Sequence, residues 1–306
     1  MSVNTKKIAV VIVVVAILAI ILFIFPSRKM ITETSDRTVA ATIFPLYDIA
    51  RNVAGDDLTV VCLLPPGASP HTFEPTPSII RQISSASAVF AFGHGIDSWA
   101  ETLADGAEKP IVVVDTNVPL RRALDEDEEE ENHDNEYSDG IDPHYWLSIP
   151  NAKLIAANIA ADLAIRYPDL AEHFTTNLDH YQAELDRTDT QLRETLKLTG
   201  NREIVTLHDA WYYFTEEYGL TIIGSFLPTP GREPTPQYLA ALGQAVSRSG
   251  SKILFSEPQI STDTLQPFIH DHQLKMAILD PLGGTGDHTS YIKTMLANAE
   301  IIAKNQ

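Results

Sequence analysis

The sequence predicts an α/β protein: two (β/α)4 lobes with parallel sheets, joined by one long rigid α-helix and preceded by an N-terminal transmembrane helix. Three observations predict this. Short β-branched apolar runs alternate with helical patterns, four runs in each half of the body. Residues 170–198 contain no Gly or Pro and carry apolar side chains at helical spacing. Residues 8–25 form an uninterrupted apolar run of 18 residues.

The apolar run comes first. As a helix it spans roughly 27 Å, close to the hydrocarbon thickness of a bilayer. It ends in FIFPSRKM, with large residues where a signal peptidase needs small ones. No cysteine follows it, which removes lipid attachment at a processed N-terminus. Residues 1–37 therefore read as an uncleaved membrane anchor with its linker.

The first lobe, 38–168, has strand-like runs at 38–43, 58–64, 88–92 and 111–115, with helices expected around 46–53, 78–85 and 97–103. A further helix over 151–167 is stopped by Pro168. The linking helix follows at 169–199, roughly 43 Å long, with Phe174, Leu178, Tyr181, Leu185, Leu192 and Leu196 along one face. Such a rigid connection predicts modest motion on ligand binding, unlike hinges made of flexible strands. The second lobe, 200–306, repeats the plan with strands at 204–208, 221–226, 252–257 and 276–280. The tetrapeptide EPTP begins at Glu74 and again at Glu233, each time ahead of a helical pattern. In both copies Thr (76, 235) fits the N-cap and Pro (77, 236) the first helical position, in keeping with two lobes of similar plan.

The chain has 306 residues and a formal charge of −19, unevenly spread. Lys6, Lys7, Arg28 and Lys29 give the head a charge of +4. Residues 125–136 (DEDEEEENHDNE) hold nine acids and no base. The acidic balance excludes nucleic acid as a partner, since phosphate binding needs clustered Lys and Arg. A single cysteine, Cys62, excludes an internal disulfide framework and any thiolate-rich metal site. Ten histidines remain, so a metal site here must be built from nitrogen and oxygen.

In open α/β sheets ligands sit beyond the carboxyl ends of the strands. At those positions, or in the stiff loops that follow, stand His71 (PPGASPHTFEP), His144 (IDPHYWL), His208 and Asp280, two from each half. Three imidazoles and a carboxylate suit tetrahedral Zn(II). The chemistry alone leaves the carboxylate open, because Glu257 also ends a strand and Asp209 and Glu74 adjoin candidates. His94, in FGHGID, is another loop candidate. His133, His173, His180, His270, His272 and His288 read as surface residues.

The strings AATIFPLYDIARNVAG, LLPPGASPHTFEPTP, DPHYWLS, IVTLHDAWYYF, FSEPQIS and ILDPLGG closely resemble the zinc/manganese solute-binding proteins of bacterial ABC transporters, the helix-linked ZnuA/TroA-like class. The resemblance runs from about Val39 to the C-terminus with the motifs in family order. It implies two lobes, the long linking helix and a metal held between the lobes by His71, His144, His208 and Asp280, which selects Asp280 among the carboxylates. Manganese-type members carry Glu at the third position, so His208 points to Zn(II) over Mn(II). Zinc-type members often carry a His-rich acidic loop where this chain has 125–136, but here that loop holds only His133, which weakens a zinc-collecting role. Many relatives are lipoproteins or cleaved exported proteins, whereas this chain keeps an anchor.

The expected function is therefore metal capture, not catalysis. A monomer would stand on the outer face of the cytoplasmic membrane and deliver Zn(II) to an ABC permease. Four protein ligands leave no position for a substrate or an activated water. Three other readings compete. A zinc-dependent hydrolase would use Asp280 as a general base, a siderophore or corrinoid binder would need a wide site, and a manganese or iron carrier would differ only in its metal.

Overall fold

The computed structural model describes residues 37–123, 139–228 and 233–306. The apolar run 8–25 and the acidic insert 125–136 with His133 lie outside the described residues. From Arg37 to Gln306 the chain forms one compact unit containing two four-stranded sheets. In the first, the strands are β1 (Thr38–Ala41), β2 (Thr59–Cys62), β3 (Val89–Ala91) and β4 (Ile111–Val113), ordered β2-β1-β3-β4. The second repeats the plan with β5 (Glu203–His208), β6 (Thr221–Leu227), β7 (Ile253–Ser256) and β8 (Lys275–Ile278), ordered β6-β5-β7-β8. Every pairing is parallel, with registers such as Ala40↔Val61 and Phe255↔Ala277. The inner strands are largely apolar and almost wholly buried, without the alternation of a half-exposed sheet, as expected for parallel strands.

The helices among the described residues are α1 (Phe44–Ala54), α2 (Pro77–Ser85), α3 (Ser98–Gly106), α4 (Ile149–Arg166), α5 (Ala171–Lys197), α6 (Tyr212–Tyr218), α7 (Pro236–Ser249), α8 (Gln266–His272) and α9 (Tyr291–Asn305). Both EPTP copies start helices where the sequence predicts, with Thr76 and Thr235 at the N-caps. Only Thr235 makes the capping bond, accepting from Tyr238 N at 3.2 Å, while Thr76 Oγ1 pairs with Ser78 Oγ at 2.7 Å. The α4 helix starts at Ser148, whose hydroxyl accepts from Asn151 N, and this fixes the chain just after His144.

The long helix α5 buries Phe174, Tyr181, Leu185, Thr188, Leu192 and Leu196, a single stripe at three-, four- and seven-residue steps. That stripe packs along α4, α1 and α9 and belongs to a hydrophobic core that reaches residues of both sheets. The helix is thus part of a shared core, which is the physical basis for a stiff connection. Hydrogen bonds reinforce it across the halves. Asp48 on α1, 1 % exposed, accepts from Tyr291 N at the start of α9 at 2.9 Å and also from Arg51. A carboxylate at a helix N-terminus satisfies an orphan N–H and complements the helix dipole. Asp48→Ala should therefore lower stability by about 2 kcal/mol, read as a lower midpoint in urea. An unchanged midpoint would show that α9 needs no such anchor.

Candidate metal centre

Three histidines arrive at one point by different routes. His71 lies in a single helical turn, Pro70–Thr72, after β2, where Pro70 and the preceding Pro65-Pro66 stiffen the loop. His144 follows the flanks of the acidic insert. There Ala123 N donates to Gly140 O, Asp142 N donates to Arg121 O, and Arg122 bridges Ile141 antiparallel. His208 is the last residue of β5. Their ring centroids stand 5.6 Å (His71–His144), 5.3 Å (His71–His208) and 5.2 Å (His144–His208) apart. One nitrogen from each falls within 4.8 Å of the others, close enough to share an ion. His144 and His208 are buried and His71 is half-buried.

Two of the rings are backed by buried carboxylates. His208 Nδ1 lies 2.8 Å from both oxygens of Glu257, and Trp211 Nε1 donates to Glu257 Oε1 at 3.0 Å. His144 Nδ1 lies 2.9 Å from Asp142 Oδ1, whose carboxyl is pushed up to about 7 by burial. A carboxylate on Nδ1 makes that nitrogen the donor and gives Nε2 the lone pair, the usual arrangement behind a metal-bound imidazole. Pro70, Ile96, Trp146, Ile260, Pro281 and Leu282 form the apolar part of the lining, Glu257 and Gln259 stand among its polar part, and the space inside is about 10 Å³, room for roughly one water-sized sphere. So small a space accepts an ion and refuses a siderophore or a corrinoid. The two halves meet around it, since Trp146 Nε1 donates to Pro281 O at 2.8 Å and Tyr213 Oη donates to Asp142 O at 2.9 Å.

Asp280 is buried just beyond β8, directly before Pro281 and Leu282 of the pocket lining. Among the described residues the group of converging metal-binding atoms comprises the three histidines and does not include it. Its Oδ1 accepts from Gln259 Nε2 at 2.8 Å and from the backbone of Leu282 and Gly283. Asn298 on α9 holds its main chain in both directions. His288, expected at the surface, is instead half-buried with Nδ1 3.0 Å from Asp280 Oδ2. The loop after β8 folds back over Asp280 through Gly283 and Gly284, both at positive φ, and Gly284 N donates to His288 O. A loop return of this kind, over eight residues, leaves no pattern in sequence. Glu257 was visible as a strand-end acid, and Asp142 could have been found as the carboxylate two residues before His144.

Comparison with known proteins gives the family. Residues 39–305 match the family described as ZnuA, zinc-uptake complex component A, periplasmic. The zinc-binding protein AdcA of Streptococcus pyogenes serotype M1 is 27 % identical over 269 residues, covering 84 % of this chain and 52 % of AdcA, so the chain spans about half the length of that relative. The manganese-binding lipoprotein MntA of Halalkalibacterium halodurans is 28 % identical over 262 residues, 83 % of each chain. A crystal structure of ZnuA superposes with a TM-score of 0.75 at 26 % identity, covering 88 % of this chain and 98 % of that one. The periplasmic zinc-binding protein TroA of Treponema pallidum, at 19 % identity and a TM-score of 0.75, shares the fold. With two matched parallel sheets, a long helix in their common core and three histidines converging between them, this chain belongs to the ZnuA/TroA-like family of zinc- and manganese-binding solute-binding proteins.

Proposed function

We propose that this protein captures Zn(II) outside the cytoplasmic membrane, tethered there by residues 8–25, and hands it as a monomer to an ABC permease. The observation that carries the reading is the convergence of His71, His144 and His208 in a space of atomic size. Imidazole nitrogen is a borderline donor that suits zinc, whereas manganese prefers harder oxygen. We assign Asp280 as the fourth ligand. It is buried directly before Pro281 and Leu282 of the pocket lining, and its hydrogen bonds to Gln259 and His288 are the contacts it would exchange on turning toward the metal. A full set of protein ligands suits capture, since a hydrolase must keep one position open for water. The shared core around α5 supports limited lobe motion, with release driven by contact with the permease.

Competition between the two ions tests the reading. Purified protein titrated with zinc against roughly a hundred-fold excess of Mn(II) should bind one zinc tightly per chain. Asp280→Asn should weaken that zinc. Retention of manganese under these conditions would assign the site to Mn(II), and unchanged affinity in Asp280→Asn would leave the three histidines as the protein's whole contribution.

A further inference from the structure

A second set of nitrogen and oxygen donors stands at the carboxyl ends of β3 and β4. His94, in the loop after β3, has a side chain only 10 % exposed and a φ of 56°. The loop is pinned by Asp97, which accepts from Phe92 N at 2.7 Å, Gly93 N at 2.9 Å and Thr42 Oγ1 at 2.6 Å. His94 Nδ1 lies 2.8 Å from Asp139 Oδ2, which orients the ring and directs the lone pair to Nε2. That Nε2 is buried and has no hydrogen-bond partner among the described residues. Asp115 Oδ2, just past the end of β4, is 3.3 Å from it but off the N–H direction, so the two atoms do not form a hydrogen bond.

That offset is informative. Two donors bound to one tetrahedral ion at ~2.0–2.1 Å stand about 3.3 Å apart, with the oxygen displaced from the ring axis. A carboxylate placed to accept a hydrogen bond would instead lie along the axis. The Asp139–His94 pair also reproduces, with other residues, the carboxylate-backed imidazole of the His144 and His208 ligands. Asp115 is 31 % exposed, so water reaches the carboxylate side of the pair and can supply further ligands there, while His94 Nε2 itself is buried.

We propose that His94 and Asp115 form a second, weaker zinc site, with Asp139 as the positioning residue and water completing the coordination. Two protein ligands, against the larger set at the main centre, make its ion rapidly exchangeable. His94 lies two residues before Ile96, which lines the three-histidine pocket, so one short loop serves both sites. The site is distinct from the main centre, since it shares no ligand with it.

Zinc titration of the full chain, followed by calorimetry and by competition with a chromophoric chelator, tests this. The unsubstituted protein should bind a tight equivalent and at least one weaker one. His94→Ala and Asp115→Asn should each remove one weak equivalent and leave the tight one intact. Asp139→Asn should weaken the same equivalent by about ten-fold without abolishing it. The proposal is overturned if the unsubstituted chain binds one zinc only. It is equally overturned if both variants keep every weak equivalent, which would assign those ions to the acidic insert and make His94 a structural histidine. Cobalt(II) absorption provides a second reading, because loss of a His94 nitrogen changes the weak-site spectrum and leaves the tight-site spectrum alone. Failure of the main-centre assignment would appear separately, as persistence of the tight ion in variants of His208.

Discussion

His208→Ala should lower zinc affinity by more than ~100-fold, because losing a ligand outweighs the 10–100-fold typical of losing a supporting group. The imidazole is one of three that converge within 4.8 Å, and it is fixed at the end of β5 by backbone pairing to β6 and β7. No neighbouring side chain can replace it, since Glu257 stands behind the ring, on the Nδ1 side. The fold should persist. Glu257 keeps the Trp211 Nε1 bond, and the cost of one lost buried partner is about 1–3 kcal/mol. Calorimetric titration measures the affinity, and urea unfolding in the presence of a chelator measures the stability. A variant that binds zinc as tightly as the parent would remove His208 from the ligand set.

Most of the architecture could be read from local pattern. The eight strands, the helix starts at Pro77 and Pro236, and the stripe from Phe174 to Leu196 each follow from periodicity or from residues that begin a helix, and they fall where expected. His71, His144 and His208 could be found because rigid prolines or strand ends set their direction. What stayed hidden depends on loop geometry and tertiary contacts. His288 reaches Asp280 only because the loop after β8 turns back through two glycines, and no spacing rule records that return. The Glu257–His208 dyad is likewise tertiary, joining residues 49 apart in sequence, whereas Asp142–His144 is local, two residues apart, and open to sequence reading. The anchor of α9 on Asp48 spans 243 residues and is equally invisible to local pattern.

Glu257→Gln should separate metal affinity from stability. Both carboxylate oxygens lie 2.8 Å from His208 Nδ1, and the side chain is buried beside Trp211. The negative charge holds the proton on Nδ1 and raises the basicity of the ring, and both effects strengthen a bond from Nε2 to a metal. Glutamine keeps the shape and can still accept from Nδ1, but it removes the charge. Zinc affinity should then fall about 10–100-fold. The protein without metal should unfold at the same urea concentration or slightly above it, because a buried charge has been exchanged for a neutral amide. Glu257→Ala should lose affinity and also stability, since it leaves the Trp211 N–H and the His208 Nδ1–H without their acceptor, at about 1–3 kcal/mol. The contrast between the two variants is the test. If Glu257→Gln binds zinc like the parent, the carboxylate serves only packing. If it unfolds as readily as Glu257→Ala, the charge holds the lobe together and its effect on the metal is secondary. A ten-fold or larger loss of affinity at unchanged stability would identify Glu257 as the group that prepares His208 to receive the ion.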